Sequence, residues 1–326
     1  MIRTRGLTKH FVVKKQVVEA VRGLDLTVEA GELVALLGPN GAGKSTMLRM
    51  LTTLLTPTSG TAHVAGHDVV ADPRGVRARI GYVGQGNAAA HGQRGRDELI
   101  SQGRAYGMSR AAARARAQEL IESLELTEVA DRVVSSLSGG QRRRLDIAMG
   151  LIHAPRLLFL DEPSTGLDPQ NRANLADHIR RLRAEHGTTV VLTTHYLDEA
   201  EQLAERVLVI DRGRLVADDA PERLKAEHVG DLITLTFDRE GDARRVATER
   251  PGLPTGAHLE RTGARLRIRV DGGSRLVPGL LRRLENAGAA VAAVEVARPT
   301  LDDVFLNLTG RSLREENATT ATEEKA

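Results

Sequence analysis

The chain of 326 residues has no cysteine and no tryptophan, and only three tyrosines and four phenylalanines. Without cysteine there is neither a disulfide framework nor a Cys-rich zinc site of the kind several DNA-handling proteins use. So few rings leave little to stack on bases, which argues against single-strand nucleic-acid binding. Also lacking is an apolar run near the roughly 20 residues a helix needs to cross a bilayer. The runs 33–37 and 157–160 are both cut off by Gly, Asp or Pro, so any membrane role is expected to be peripheral. The opening Met1-Ile2-Arg3-Thr4-Arg5 has no apolar segment of a secretory signal, which fits a cytosolic location. Charge of one sign is scarce too: 46 Lys plus Arg against 43 Asp plus Glu leave a formal +3, no nucleic-acid footprint by itself.

What the chain does have is 41% hydrophobic residues, enough for one large domain and a smaller one. Its first two-thirds alternates short continuous apolar runs (33–37, 157–160, 190–193 and 207–210) with longer helical patterns. Such runs suit strands covered on both faces, and the alternation predicts an α/β domain with a parallel sheet. Leu175, Ile179 and Leu182 follow helical spacing, and Ser109 is placed to cap a helix carrying Leu120, Ile121 and Leu124. The pattern changes at Gly230. From there the reading is strand 232–237, helix 243–248, strands 257–260 and 266–270, helix 275–287, strand 291–296 and a closing helix from Thr300. That β-α-β-β-α-β order predicts a ferredoxin-like unit. The expected division is a large α/β domain at 1–220 with a helical subdomain at about 86–155, a linker at 221–230 with Pro221 at a helix start, a small α+β domain at 231–310, and a disordered tail at 311–326. In the closing helix Leu301, Val304, Phe305 and Leu308 form an apolar face that must pack on something.

Gly38-Pro39-Asn40-Gly41-Ala42-Gly43-Lys44-Ser45-Thr46 matches the G-x-x-x-x-G-K-[ST] phosphate loop and sits between a predicted strand and a helical run at 47–55. Its glycines let N–H groups turn toward phosphate oxygens at a helix N-terminus, with Lys44 reaching the β- and γ-phosphates and Ser45 ligating magnesium. Gly38, Asn40, Gly41, Ala42, Gly43, Lys44, Ser45 and Thr46 are therefore the candidate ATP contacts. Asp161-Glu162 puts two carboxylates at the C-terminal end of a buried strand, where parallel sheets hold their ligands. Asp161 is the candidate magnesium ligand and Glu162 the candidate general base toward the attacking water.

Leu137-Ser138-Gly139-Gly140-Gln141 resembles the signature segment of ABC transporter ATPases. The resemblance implies that Ser138, Gly139, Gly140 and Gln141 bind the γ-phosphate held by a second subunit, in a head-to-tail homodimer around ATP. It further implies that Gln85, in Gly84-Gln85, senses magnesium and water and links the site to a separate membrane permease. Asp168, in Ser164-Thr165-Gly166-Leu167-Asp168, matches the loop that crosses the dimer interface, and His195 the histidine that contacts the γ-phosphate. Phe11 matches the aromatic that stacks on adenine, although the loop 12–18 is slightly long. Arg142-Arg143-Arg144-Leu145-Asp146, Gly84-Gln85 and Arg298-Pro299-Thr300-Leu301-Asp302-Asp303-Val304-Phe305 resemble the daunorubicin-resistance subfamily of exporter ATPases. That resemblance implies drug or antibiotic export from the cytoplasmic face of the membrane, with membrane contact only through the permease and no nucleic-acid partner. The stretch 86–94 departs from the family pattern, which leaves substrate class and permease open. An importer ATPase with a regulatory C-terminal domain is the alternative. A DNA-associated ABC ATPase is a further one, against which stand the missing heptads and cysteines between residues 47 and 136.

Overall fold

The computed structural model describes residues 1–313 apart from Asn87, His91, residues 254–256 and Asp271, and apart from the side chain of His186. Of the span read as a tail, Leu313 is buried and its N–H donates to Asp302 Oδ1 at 3.0 Å; residues from Arg314 onward lie outside the described residues. The chain divides into two compact units, one of residues 1–219 and one beginning at Ala220.

The first unit is built on a six-stranded sheet ordered Arg214–Asp219, Arg206–Asp211, Leu33–Leu37, Thr189–Thr194, Leu157–Asp161, Ile80–Val83. Its pairings are parallel except for the one antiparallel edge strand Arg214–Asp219. The three central strands are buried along their whole length. This is why they read as unbroken apolar runs with no alternation. All four predicted strands of this sheet are present. The strands Leu157–Asp161 and Thr189–Thr194 pair in register, Asp161 beside Thr193, so their C-terminal ends and the loops that follow lie next to the loop after Leu37.

A second, antiparallel sheet has the order Gln16–Val28, Ile2–Val13, Ser59–Val64, His67–Asp68. The expected loop at 12–18 is instead the end of a hairpin: Val12 pairs with Val17 and Val13 with Gln16, leaving only Lys14 and Lys15 in the turn, at φ 48° and 66°. Both residues in the left-handed region make the turn whose twist matches that of the flanking strands. Helices Gly95–Ala105, Arg110–Ser123 and Gly139–Leu151 fall in the expected helical subdomain, and Ser109 caps the second through the N–H of Ala112 at 3.1 Å. With at most 14 residues per helix, nothing among the described residues of this span has the length of a coiled-coil arm.

The second unit opens with the helix Pro221–His228, in the span read as a linker. Then follow Asp231–Phe237, helix Glu240–Glu249, His258–Thr262, Arg265–Val270, helix Gly273–Asn286, Val291–Ala297 and helix Leu301–Thr309. The four-stranded antiparallel sheet places Asp231–Phe237 between Arg265–Val270 and Val291–Ala297. Ile233, Leu235 and Phe237 alternate inward onto Val246, Leu280 and Leu284 of the two helices, giving the ferredoxin-like β-α-β-β-α-β unit. The apolar face of Leu301, Val304 and Phe305 packs within this unit, against the helix Pro221–His228.

Candidate active site

The chain leaves the strand Leu33–Leu37, turns through the glycine-rich loop and enters the helix Lys44–Leu51. Gly43 sits at φ +105°, and a Cβ there would lie 2.3 Å from the carbonyl oxygen of Ala20, so neither the dihedral nor the space admits a side chain. Lys44, 4% exposed, donates to the carbonyl oxygens of Gly38 at 2.7 Å and Pro39 at 3.0 Å. Burial pulls its pKa below the ordinary lysine range, while the charges of Glu162 and Asp161 oppose that shift. The loop lines a cavity of about 520 Å³ together with Ala20, Gln85, Glu162, Thr165 and His195; Asn40, Gly41, Ala42, Gly43, Lys44, Ser45 and Thr46 supply its floor. Gly38 contributes its carbonyl to Lys44 and does not line the cavity.

Beside the helix start, Ser45 Oγ donates to Asp161 Oδ1 at 2.9 Å, and Gln85 Nε2 approaches Ser45 Oγ at 3.4 Å. Thr193 Oγ1 donates to the same Asp161 oxygen at 2.7 Å and accepts from the N–H of Glu162 at 2.9 Å. The other oxygen, Asp161 Oδ2, is buried with no hydrogen-bond partner among the described residues. A buried orphaned carboxylate oxygen next to a serine hydroxyl and a glutamine amide is a set of hard oxygen donors that fits magnesium.

Glu162 turns the chain sharply at φ 47°, an uncommon dihedral for a non-glycine residue, and thereby aims its carboxylate into the cavity. Its Oε2 lies 3.3 Å from His195 Nδ1 and accepts from Thr165 Oγ1 at 3.2 Å, while Oε1 lies 3.7 Å from Lys44 Nζ. Burial pushes this carboxyl up, but the His195 hydrogen bond, the Lys44 charge and Thr165 outweigh it and hold the pKa below the usual glutamate value. An ionised carboxylate facing a polar cavity can accept a proton from water held there.

Not every predicted contact meets in this cavity. Phe11 does not line it; it pairs with Val18 in the hairpin, with Lys9 Nζ 5.4 Å from its ring centre. Ser138 caps the helix Gly139–Leu151, accepting from the N–H of Gln141 at 3.3 Å while Gln141 Oε1 accepts from the N–H of Ser138 at 3.0 Å. Gly139 is exposed at that helix start, and a Cβ on Gly140 would meet Asn171 Oδ1 at 2.5 Å. Asp168 caps the helix Pro169–His186 through the N–H of Asn171 at 2.9 Å. None of these three segments reaches the cavity of its own chain. Thr193, Thr165 and Ala20 do take part, and sequence reasoning passed over them. Thr193 closes the apolar run 190–193, and a hydroxyl at the end of a buried strand is the signal that finds it.

The chain matches the family model described as ABC transporter over residues 21–165, and the model of the DrrA1-3-like ATP-binding protein C-terminal domain over 220–309. It is 43% identical over 317 residues to the daunorubicin resistance ATP-binding protein DrrA3 of Streptomyces coeruleorubidus, covering 97% of this chain and 98% of that one. It is 39% identical over 297 residues to the Nod factor export ATP-binding protein I of Burkholderia lata, covering 90% and 93%. A solved dimer of the ATP-binding cassette MJ0796, in a post-hydrolysis state with ADP and Pi, superposes with a TM-score of 0.62 at 27% identity, over 68% of this chain and 98% of that one. With both family models matched and 43% identity along almost the whole length of a relative, the chain belongs to the ATPases of the ABC transporter family, among its DrrA-like ATP-binding proteins.

Proposed function

We propose that the chain is the ATP-hydrolysing subunit of an exporter of drug-like or antibiotic-like compounds, working as a homodimer at the cytoplasmic face beneath a separately encoded permease. The observation that carries this is the convergence of Lys44, Glu162, Gln85 and His195 on one cavity around the phosphate loop, with Asp161 hydrogen-bonded to Ser45 beside it. In this reading Lys44 and the loop N–H groups hold the phosphates, and Ser45, Asp161 and Gln85 hold magnesium. When bound, the ion supplies charge neutralisation on the phosphate oxygens. Glu162 accepts the proton of the attacking water and His195 steadies both that carboxylate and the γ-phosphate. Ser138, Gly139, Gly140, Gln141 and Asp168 serve the nucleotide of the second copy, which explains why they stand outside their own cavity. Phe11 lies on a strand beside the one carrying Ala20 and offers its ring to adenine.

Relatives named for daunorubicin and for Nod factor share this cassette, so the compound moved is assigned to the permease side. The test is daunorubicin accumulation in cells expressing the chain with its neighbouring permease gene, against the same cells carrying Glu162→Gln. Lower accumulation only with the unsubstituted chain is expected. Equal accumulation in both would overturn export, and absence of phosphate release by the purified chain would overturn ATP hydrolysis itself.

A further inference from the structure

Three arginines follow the signature segment, and the middle one is not a surface charge. Arg143 is 8% exposed, and its guanidinium is surrounded by three backbone carbonyls from two separate stretches. Nε donates to Pro163 O at 2.8 Å, Nη1 to Gly84 O at 2.7 Å and Nη2 to Asp161 O at 3.2 Å. One turn later on the same helix, Asp146 is 1% exposed, and its Oδ1 accepts from the N–H groups of Ala88 at 3.1 Å and Ala89 at 3.2 Å. These two side chains therefore grip the chain on either side of Gln85. Arg143 also grips it on either side of Glu162. A buried charge is costly unless hydrogen bonds repay the lost hydration, and a planar fork that meets three carbonyls does so in a way a point-like ammonium does not.

We propose that Arg143 and Asp146 are positioning residues, a two-point staple that locks the Gln85 segment and the carbonyls flanking Glu162 to the helix beginning at Ser138. Neither lines the cavity; Asp146 acts through the Gln85 segment, and Arg143 through that segment and Glu162. Because the helix N-terminus is the part assigned to the nucleotide of the second copy, the staple makes one rigid body of the group that reads that nucleotide and the amide that serves this chain's own. A displacement of the helix start is carried to Gln85 through hydrogen bonds to its neighbours' backbone, with no flexible side chain between. This inference rests on the role given to Gln85 above.

Two measurements on the full chain test it. In amide hydrogen exchange without nucleotide, Asp146→Ala should speed exchange in the peptide spanning Gly84 to Ala89 by about tenfold or more and leave the peptide of the phosphate loop unchanged. Asp146→Asn, which keeps the acceptor oxygen, should restore protection. In steady-state hydrolysis Asp146→Ala and Arg143→Lys should each lower kcat by about tenfold or more, as loss of an orienting contact does, with KM for ATP within about twofold. Asp146→Ala added to Gln85→Ala should lower kcat by less than about twofold further, because both remove the same contribution. Unchanged exchange, Asp146→Asn as impaired as Asp146→Ala, or additive losses with Gln85→Ala would each overturn the staple. If Gln85→Ala left turnover intact while the exchange result held, the catalytic reading of Gln85 would fall, and with it the staple's catalytic role.

Discussion

Lys44 Nζ stands 3.7 Å from Glu162 Oε1, joining in one ion pair the cation assigned to phosphate and the carboxylate assigned to water. The pair is nearly buried, so each charge offsets the desolvation of the other. In the proposed roles, a γ-phosphate entering the loop would compete with Glu162 for the same ammonium and so free the carboxylate toward water once nucleotide is held. The contact of Oε2 with His195 Nδ1 at 3.3 Å would then keep the freed carboxylate pointed into the cavity.

Glu162→Gln keeps the shape of the side chain and removes its ability to take up a proton. Phosphate release should fall by about 10² to 10⁴, the usual worth of a general base, or roughly 3 to 5 kcal/mol. MgATP affinity should be retained. Turnover within about twofold of the unsubstituted chain would remove Glu162 from that role.

The same carboxylate sets an acid-side stability dependence. Its folded pKa lies below the ordinary value, so the stability it contributes is complete above the unfolded value of about 4.3 and is lost as pH falls through the folded one. Calorimetric melting of the nucleotide-free chain and of Glu162→Gln should show a gap that is steady from about pH 7 to pH 5 and closes below about pH 4. A gap that widens on acidification contradicts the ionised pair.

Gly43→Ala tests the loop. The added Cβ meets the Ala20 carbonyl at 2.3 Å in a dihedral that L side chains rarely adopt. Strain of about 1–3 kcal/mol held against the bound conformation corresponds to roughly 5- to 150-fold weaker MgATP binding by titration calorimetry. Unaltered affinity would mean that the loop rearranges to bind.

Head-to-tail pairing predicts a monomer without nucleotide and a shift of Glu162→Gln toward dimer with MgATP in light scattering. Adding Ser138→Arg puts a bulky cation at the cap of the helix Gly139–Leu151 and should abolish the shift. A double mutant that still dimerises with ATP would contradict the arrangement.

All residues assigned to phosphate, magnesium and water precede residue 200, and the second compact unit begins at Ala220. A chain ending at Asp219 should therefore bind MgATP within about twofold of the full chain, since no ligand contact is removed, yet lose efflux in cells carrying the permease. A folded, truncated protein that no longer bound MgATP would end this division of labour.

Most of the candidate site was legible in the sequence because most cavity groups lie in short contiguous motifs whose residue types phosphate chemistry favours, Ala20 being an exception. Gly43, Lys44 and Ser45 had to follow a strand and open a helix, and Asp161 and Glu162 had to end a buried one. The strands at the sheet centre were legible for a similar reason, since burial on both faces leaves only apolar residues. The N-terminal hairpin was not. Its strands carry exposed valines, such as Val12 at 77% and Val17 at 63%, and its turn uses Lys14 and Lys15 where glycine or asparagine would have signalled it.

Tertiary structure alone decided which motifs meet. Asp161 and Thr193 are 32 residues apart and touch because their strands are neighbours in the sheet, an order that no local pattern encodes. It also decided what Arg143 is. In a run of three arginines each one reads as a solvated charge, and only the packing of the carbonyls of Gly84, Asp161 and Pro163 around the middle one makes it a buried anchor. Sequence records which donors and acceptors a chain owns; the satisfaction of a buried donor depends on groups brought from elsewhere in the chain, and only the fold supplies those.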